Sequence, residues 1–257
     1  MPNIFLCDRM HWLSHLAIHA VSLRSLSLYH STRKNIVPGR NHGSSTMDYF
    51  QSIPWCAALL GKPGIVPYTP TCRLEPDASG ALPTQDQFFR VNLRSSELIP
   101  HAIGFYQDPF SPAIIAPCPT SSDLRLLIHS STLMLDLRPG TNGYNGSAHG
   151  GLISTLIDEA MGSLIYINHH FYTEAEAIHK EKIPSNVLNM HGVGMFTASM
   201  NVQFLKPLAT PHVVLVTASL KGIEGRKVYL DVEVKDEEGV RFASCEGMWM
   251  SVLKEKL

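Results

Sequence analysis

His149, Gly150 and Gly151 stand together at the start of a strongly helical stretch, and two acids, Asp158 and Glu159, follow within it. Glycines at a helix start let a ligand approach the backbone closely, and the first N–H groups of a helix lack partners inside it. Such groups, reinforced by the helix dipole, can hold charge developing on a carbonyl oxygen. One donor of this kind contributes about 3 kcal/mol to a transition state. The Gly151 N–H is the candidate donor, with Gly150 beside it where a ligand would bind. The plainer alternative is that both glycines only permit a tight turn. A carboxylate in a crevice can activate water or attack an activated carbonyl itself.

A helical wheel separates the two acids. Leu152, Ile153, Leu156, Ile157, Ala160, Met161, Leu164 and Ile165 form one broad apolar stripe. With Leu152 at 0°, the stripe centres at about 100° and Asp158 lies at about 240°, beside Thr155 and Gly162. Asp158 thus borders the stripe with small neighbours. Glu159, at about 340° and away from the stripe, takes the place of a solvated acid. His149 immediately precedes the helix, where an imidazole can orient the loop or contact a carbonyl. Arg226 and Lys227 sit at a hairpin and could meet phosphate groups, or simply be exposed turn residues.

Other chemistries lack their residues. There is no GxSxG elbow, P-loop, GxGxxG, HExxH or Cys/His quartet. His11, His15 and His19 would share a helix face, but no Cys or carboxylate joins them, so a solvated stripe is expected. The same holds for His169 and His170. No cofactor or metal is expected.

The elements that must position the candidate residues can be read around them. LRLLIHSSTLMLDL (124–137) has strand content and ends at Pro139-Gly140. The loop TNGYNGSAHGG leads into the helix LISTLIDEAMGSLIYIN. Residues 169–195 read as an insertion loop. Four extended runs follow: FTASMNVQFLKP, HVVLVTASLKG, RKVYLDVEVKD and VRFASCEGMWMSVL. Their short connections predict an antiparallel meander. One sheet wrapping one buried helix is the economical arrangement.

Upstream the pattern is looser. MDYFQSIPWCAALLG suggests a short helix and QFFRVNL a strand, amid many prolines, so residues 47–119 are expected to be a loop-rich N-terminal extension covering the later domain. Residues 1–46 carry five basic residues against one acid, Asp8, and are rich in Ser and His. That composition suits a mitochondrial leader or a disordered tail.

The 257 residues have a formal net charge of −1, which gives no support for nucleic acid as the main partner. The cysteines Cys7, Cys56, Cys72, Cys118 and Cys245 are odd in number and widely spaced. They read as reduced thiols of an intracellular, mitochondrial or cytoplasmic protein. No apolar run reaches the roughly 18 residues of a membrane span. The sequon at Asn145 and the C-terminal KEKL carry no weight in that setting.

HGGLISTLIDEAMG (149–162), TASMNVQFLKP about forty residues later and EGRKVYLDVEV (224–234) together resemble the hotdog-fold acyl-CoA thioesterases. The resemblance is strongest to the His-Gly-Gly subgroup of phenylacetate-type and mammalian mitochondrial-type enzymes. It covers roughly residues 120–252 and implies, for residues 120–257, an α+β hotdog fold, an antiparallel sheet wrapped around one long central helix. It implies hydrolysis of acyl-CoA in a homodimer or homotetramer without a cofactor. The family's catalytic acid falls nine residues after the motif's His, which here is Asp158. His149 would position the site. Thr197 would help hold the water, reaching the site from the partner subunit, or be an ordinary β-favouring threonine. Three further readings share this fold: a dehydratase or hydratase on acyl thioesters, a thioesterase acting on a carrier protein, and a non-catalytic acyl-CoA-binding module.

Overall fold

The structure, a computed structural model, describes residues 46–74, 86–109, 124–174, 185–190 and 193–253. The leader and its histidine stripe lie outside them. Two short helices, α1 (Thr46–Gln51) and α2 (Pro54–Leu60), open the described chain, and the long α3 (Gly150–Glu174) follows the paired glycines. The strands are β1 (Ile65–Tyr68), β2 (Ala102–Gln107), β3 (Ser130–Leu137), β4 (Asn142–Tyr144), β5 (Ser147–Ala148), β6 (Val193–Phe204), β7 (His212–Glu224), β8 (Lys227–Lys235) and β9 (Arg241–Leu253).

Seven strands form one antiparallel sheet in the order β1-β2-β3-β7-β8-β9-β6, and β4 and β5 form a small ribbon. The stripe of α3 packs on one face of the sheet. Ile153, Leu156, Ile157, Ala160, Met161 and Leu164 are buried against Val214, Val216, Leu230, Val232 and Val234. Close approach requires a missing side chain at Gly247 on β9, where a Cβ would run into the sulfur of Met161. Farther along the helix, Asn168 is buried yet fully used. Its Oδ1 accepts from the Ile128 N–H, and its Nδ2 donates to the Ile128 and Leu164 carbonyls. This is the hotdog arrangement, one helix held in a curled antiparallel sheet.

The other face of the sheet is also covered. Phe50 of α1 and Cys56 of α2 pack on Ile103, Phe105, Met134 and Leu215. Strand β3 is therefore buried on both faces, which explains its unbroken apolar run LML in place of alternation. Among the described residues no helix is long and apolar enough to cross a membrane.

Several expectations need correction. The strand expected over 124–137 is confined to Ser130–Leu137; before it, Arg125 makes only an isolated bridge to Val187. QFFRVNL is a π-helical turn, Phe88–Asn92, because Phe89 and Leu93, four residues apart, are the pair that enters the core. The single helix over 47–61 is two helices, since Pro54 holds Ile53 in an extended conformation. Between its loops the extension supplies β1 and β2, which lengthen the sheet beyond β3. The expected meander holds for β7, β8 and β9 only. Strand β6 pairs with β9 at the far edge, and its link to β7 instead pairs with the ribbon, through Ala148 N–H to Leu208 and Thr210 N–H to Gly146. The insertion expected over 169–195 begins later, because α3 continues to Glu174.

The extension is locked on at Gly104 of β2. The ring of Tyr68 on β1 lies where a Cβ would be, and its hydroxyl is fixed 2.7 Å from Ser131 Oγ. Gly104→Ala is expected to lower stability by about 1–3 kcal/mol, read from the midpoint of denaturant unfolding. An unchanged midpoint would show that the extension contributes nothing to the sheet.

Candidate active site

The β4–β5 ribbon delivers His149 to the start of α3. Its N–H donates to Thr141 O at 2.9 Å, and its carbonyl accepts the Ile153 N–H at 3.0 Å, so His149 is the residue that caps the helix. The imidazole packs beside Gly143, and its Nδ1 accepts the Gly151 N–H at 2.9 Å. A neutral imidazole that accepts at Nδ1 carries its proton on Nε2. The Gly151 N–H, the candidate oxyanion donor, is thus occupied by the neighbouring histidine. Gly150 and Leu152 share this first turn, whose N–H groups have no intrahelical acceptor. Gly150 faces the ring of Phe204 on β6, 3.4 Å from where its Cβ would lie.

Two turns further along the helix, Asp158 Oδ1 accepts a hydrogen bond from Thr197 Oγ1 at 2.7 Å. Thr197 belongs to β6 of the same chain, so this hydrogen bond forms without a partner subunit. It lies opposite Trp249 of β9, at a bulge between Thr197 and Ser199 that breaks the ladder. At 1.5 Å per residue, Asp158 is about 10 Å from Gly151 and about 13 Å from His149 along the axis. Thr155 fills the interval, donating to the Gly151 carbonyl at 2.9 Å. Within one chain, then, Asp158 and Thr197 meet, His149 and Gly151 meet, and the two pairs stay apart. A His149–Asp158 dyad of the dehydratase kind does not form within one chain.

Arg226 and Lys227 are exposed at the β7–β8 turn. The pairing Lys227↔Met250↔Phe196 sets Lys227 two strands from the residue next to Thr197, roughly 10 Å away. The structure brings neither basic residue to Asp158.

Glu159 departs from its expected place. It faces the extension, where burial pushes its carboxyl up to about 7; hydrogen bonding to Cys72 and the nearby Arg73 oppose that rise, and the charges of Asp86 and Asp158 add to it. Arg73 is itself buried, donating through Nη2 to Ile99 O at 2.9 Å, while its Nε and Nη1 find no partner among the described residues. The wheel misplaced Glu159 because it treated every position off the stripe as open to water. Trp249 was missed as well. Its indole lies against Gly162, one turn beyond Asp158, and its buried Nε1–H has no acceptor among the described residues. Only the β6–β9 register reveals that neighbourhood.

Residues 145–243, from the ribbon through most of the sheet, match the thioesterase superfamily. The matched stretch takes in α3 and strands β6, β7 and β8. Verlamelin biosynthesis protein B of a Lecanicillium species is 26% identical over 227 residues, 84% of this chain and 90% of that protein. An acyl-coenzyme A thioesterase of Bos taurus is 26% identical over 119 residues, 46% of this chain and 39% of that protein. Among solved structures, the PaaI protein from the phenylacetic acid degradation operon of E. coli is 15% identical with a TM-score of 0.37, covering 48% of this chain and 72% of that one. A Staphylococcus aureus protein in complex with CoA is 15% identical with a TM-score of 0.39, covering 49% and 71%.

The Glu159 carboxyl, half-buried under the extension, has a measurable signature. A carboxyl raised from 4.5 to about 7 favours the folded state while protonated. That stabilisation is complete below pH about 4.5 and is lost as pH rises through about 7. Relative to wild type, Glu159→Gln is expected to gain stability on going from pH 4.5 to 8, by up to about 3 kcal/mol. A pH-independent difference in denaturation midpoint would contradict the burial of this carboxyl.

Proposed function

We propose that the protein hydrolyses acyl thioesters such as acyl-CoA, releasing free acid and thiol. The observation that carries this reading is the Thr197–Asp158 hydrogen bond on the open flank of α3. Thr197 occupies Oδ1 and orients the carboxylate, leaving Oδ2 to accept a proton from water. The water oxygen adds to the carbonyl carbon and Asp158 takes its proton. The C–S bond then breaks and the thiolate leaves, to be protonated in turn. The name of the Bos taurus relative supports CoA as the carrier. Lys227 and Arg226 are the basic residues available to CoA phosphates.

The oxyanion donor must come from elsewhere than the same helix, given the spacing of about 10 Å. A two-fold axis near Thr155, midway between Gly151 and Asp158, would set the partner subunit's Gly151 against Asp158. The thioester oxygen would then displace His149 Nδ1 as the acceptor of that N–H. Strand β6 supports such a homodimer: it is a twelve-residue edge strand with Phe196, Met200 and Phe204 exposed.

A second reading, release of an acyl group from a carrier protein in a biosynthetic route, is favoured by the match to nine-tenths of a protein named for biosynthesis. The chemistry at Asp158 is the same.

Thiol release from acetyl-, hexanoyl-, palmitoyl- and phenylacetyl-CoA, and from an acylated carrier domain, tests both readings. Asp158→Asn is expected to lower kcat by about 10²–10⁴. Thr197→Ala is expected to lower it about tenfold, with KM little changed, as for one hydrogen bond to a charged group. No turnover of any thioester by folded wild-type protein would leave the dehydratase or hydratase and the binding module as the remaining readings.

A further inference from the structure

At the end of the sheet where β3 finishes and β7 begins, a cavity of about 280 Å³ opens beneath Tyr49 of α1 and Trp55 of α2. Its charged lining is unbalanced. Asp136 and Arg138 neutralise each other, with Nε and Nη2 of the guanidinium 2.9 and 2.8 Å from one carboxylate oxygen. Beside that pair, Glu237 faces His212 in the cavity wall, and Asp236 lies next to them. Nothing in this group serves the chemistry at Asp158.

The geometry points to a divalent-cation site made by His212, Asp236 and Glu237. One ligand atom from each lies within 4.8 Å of the others. Among the described residues His212 Nε2 is a buried nitrogen with no hydrogen-bond partner, and the nearest carboxylate oxygen, on Glu237, is 3.9 Å away, beyond hydrogen-bond reach. A ring nitrogen that is buried and unused, facing two carboxylates, is what a metal ion would satisfy. Asp236 is already oriented: its Oδ1 accepts the Glu238 and Val240 N–H groups at 3.0 and 2.8 Å, which leaves Oδ2 for a ligand.

Ligand atoms about 2.0–2.2 Å from one ion lie about 3–3.5 Å apart. The exposed Glu237 side chain can close the difference by rotating. One imidazole with two carboxylates suits zinc better than calcium or magnesium, which take oxygen sets. The cavity leaves room for water at the fourth position. An ion here would tie the first residue of β7 to the β8–β9 turn, under the helices of the extension.

The test uses full-length protein stripped with a chelator and exchanged into metal-free buffer. Zn²⁺ is titrated calorimetrically, and Tm is followed with and without the ion. One Zn²⁺ per chain is expected, with a Kd of about 10 µM or tighter and a rise in Tm of several degrees at saturation. His212→Ala and Glu237→Gln should each weaken binding by about tenfold or more. Glu237 is exposed, so its variant keeps the test open if the histidine variant fails to fold. Absence of binding at about 100 µM Zn²⁺, or binding that survives Glu237→Gln unchanged, would overturn the site and leave His212 and Glu237 as a simple ion pair.

Discussion

The hydrogen bond from Thr197 to Asp158 joins the central helix to the edge strand of the sheet, and the geometry of the site follows from it. It holds only while α3 keeps its height over β6 and β9. Two missing side chains set that height, at Gly247 under Met161 and at Gly162 against the Trp249 indole. Asn168, bonded on both sides to Ile128, stops the far half of the helix from sliding along its axis. The apolar stripe provides the attraction. The amide and the glycines provide the register.

The same helix sets a limit. Its rise keeps Gly151 and Asp158 two turns apart, and no side-chain rotation changes that. A site needing both an electrophilic donor and a base therefore has to be assembled across two helices. In the proposed homodimer a second copy would bring its own helix start against the exposed apolar residues of β6. The hydrogen bond from Gly151 to His149 Nδ1 fits this view, since it satisfies the donor until a carbonyl oxygen takes over.

The two adjacent acids show how an added segment alters a site. Asp158 stays on the open flank with a hydroxyl donor. Glu159, one position on, is turned under the extension, where desolvation holds its carboxyl at about 7. Below pH about 7 the Glu159 carboxyl is mostly protonated and repels the charge on Asp158 less than an ionised neighbour would. Two carboxyls in contrasting environments can thus take separate parts.

Much of this was legible in the sequence where the pattern is periodic. The four-residue repeat gave α3, and alternation in Val228, Leu230, Val232 and Val234 gave β8 and its buried face. What was not legible depends on partners distant in the chain. Strands β1 and β2 are short and carry no lone signature; they exist because β3 offers an edge. The placing of β6 beside β9, the burial of Glu159 and the cluster around His212 all arise from contacts between segments that local spacing does not encode.

The most direct test of the shared site is a purified heterodimer, selected by two tags, of one Asp158→Asn copy and one Gly151→Pro copy. Proline removes the N–H at a first-turn position where helices tolerate it. Each homodimer is expected to be inactive. The heterodimer should regain about half of wild-type kcat, because one of its two sites would join an intact Asp158 to an intact Gly151. A heterodimer as inactive as its parents would mean that each site lies within a single chain, contradicting the account.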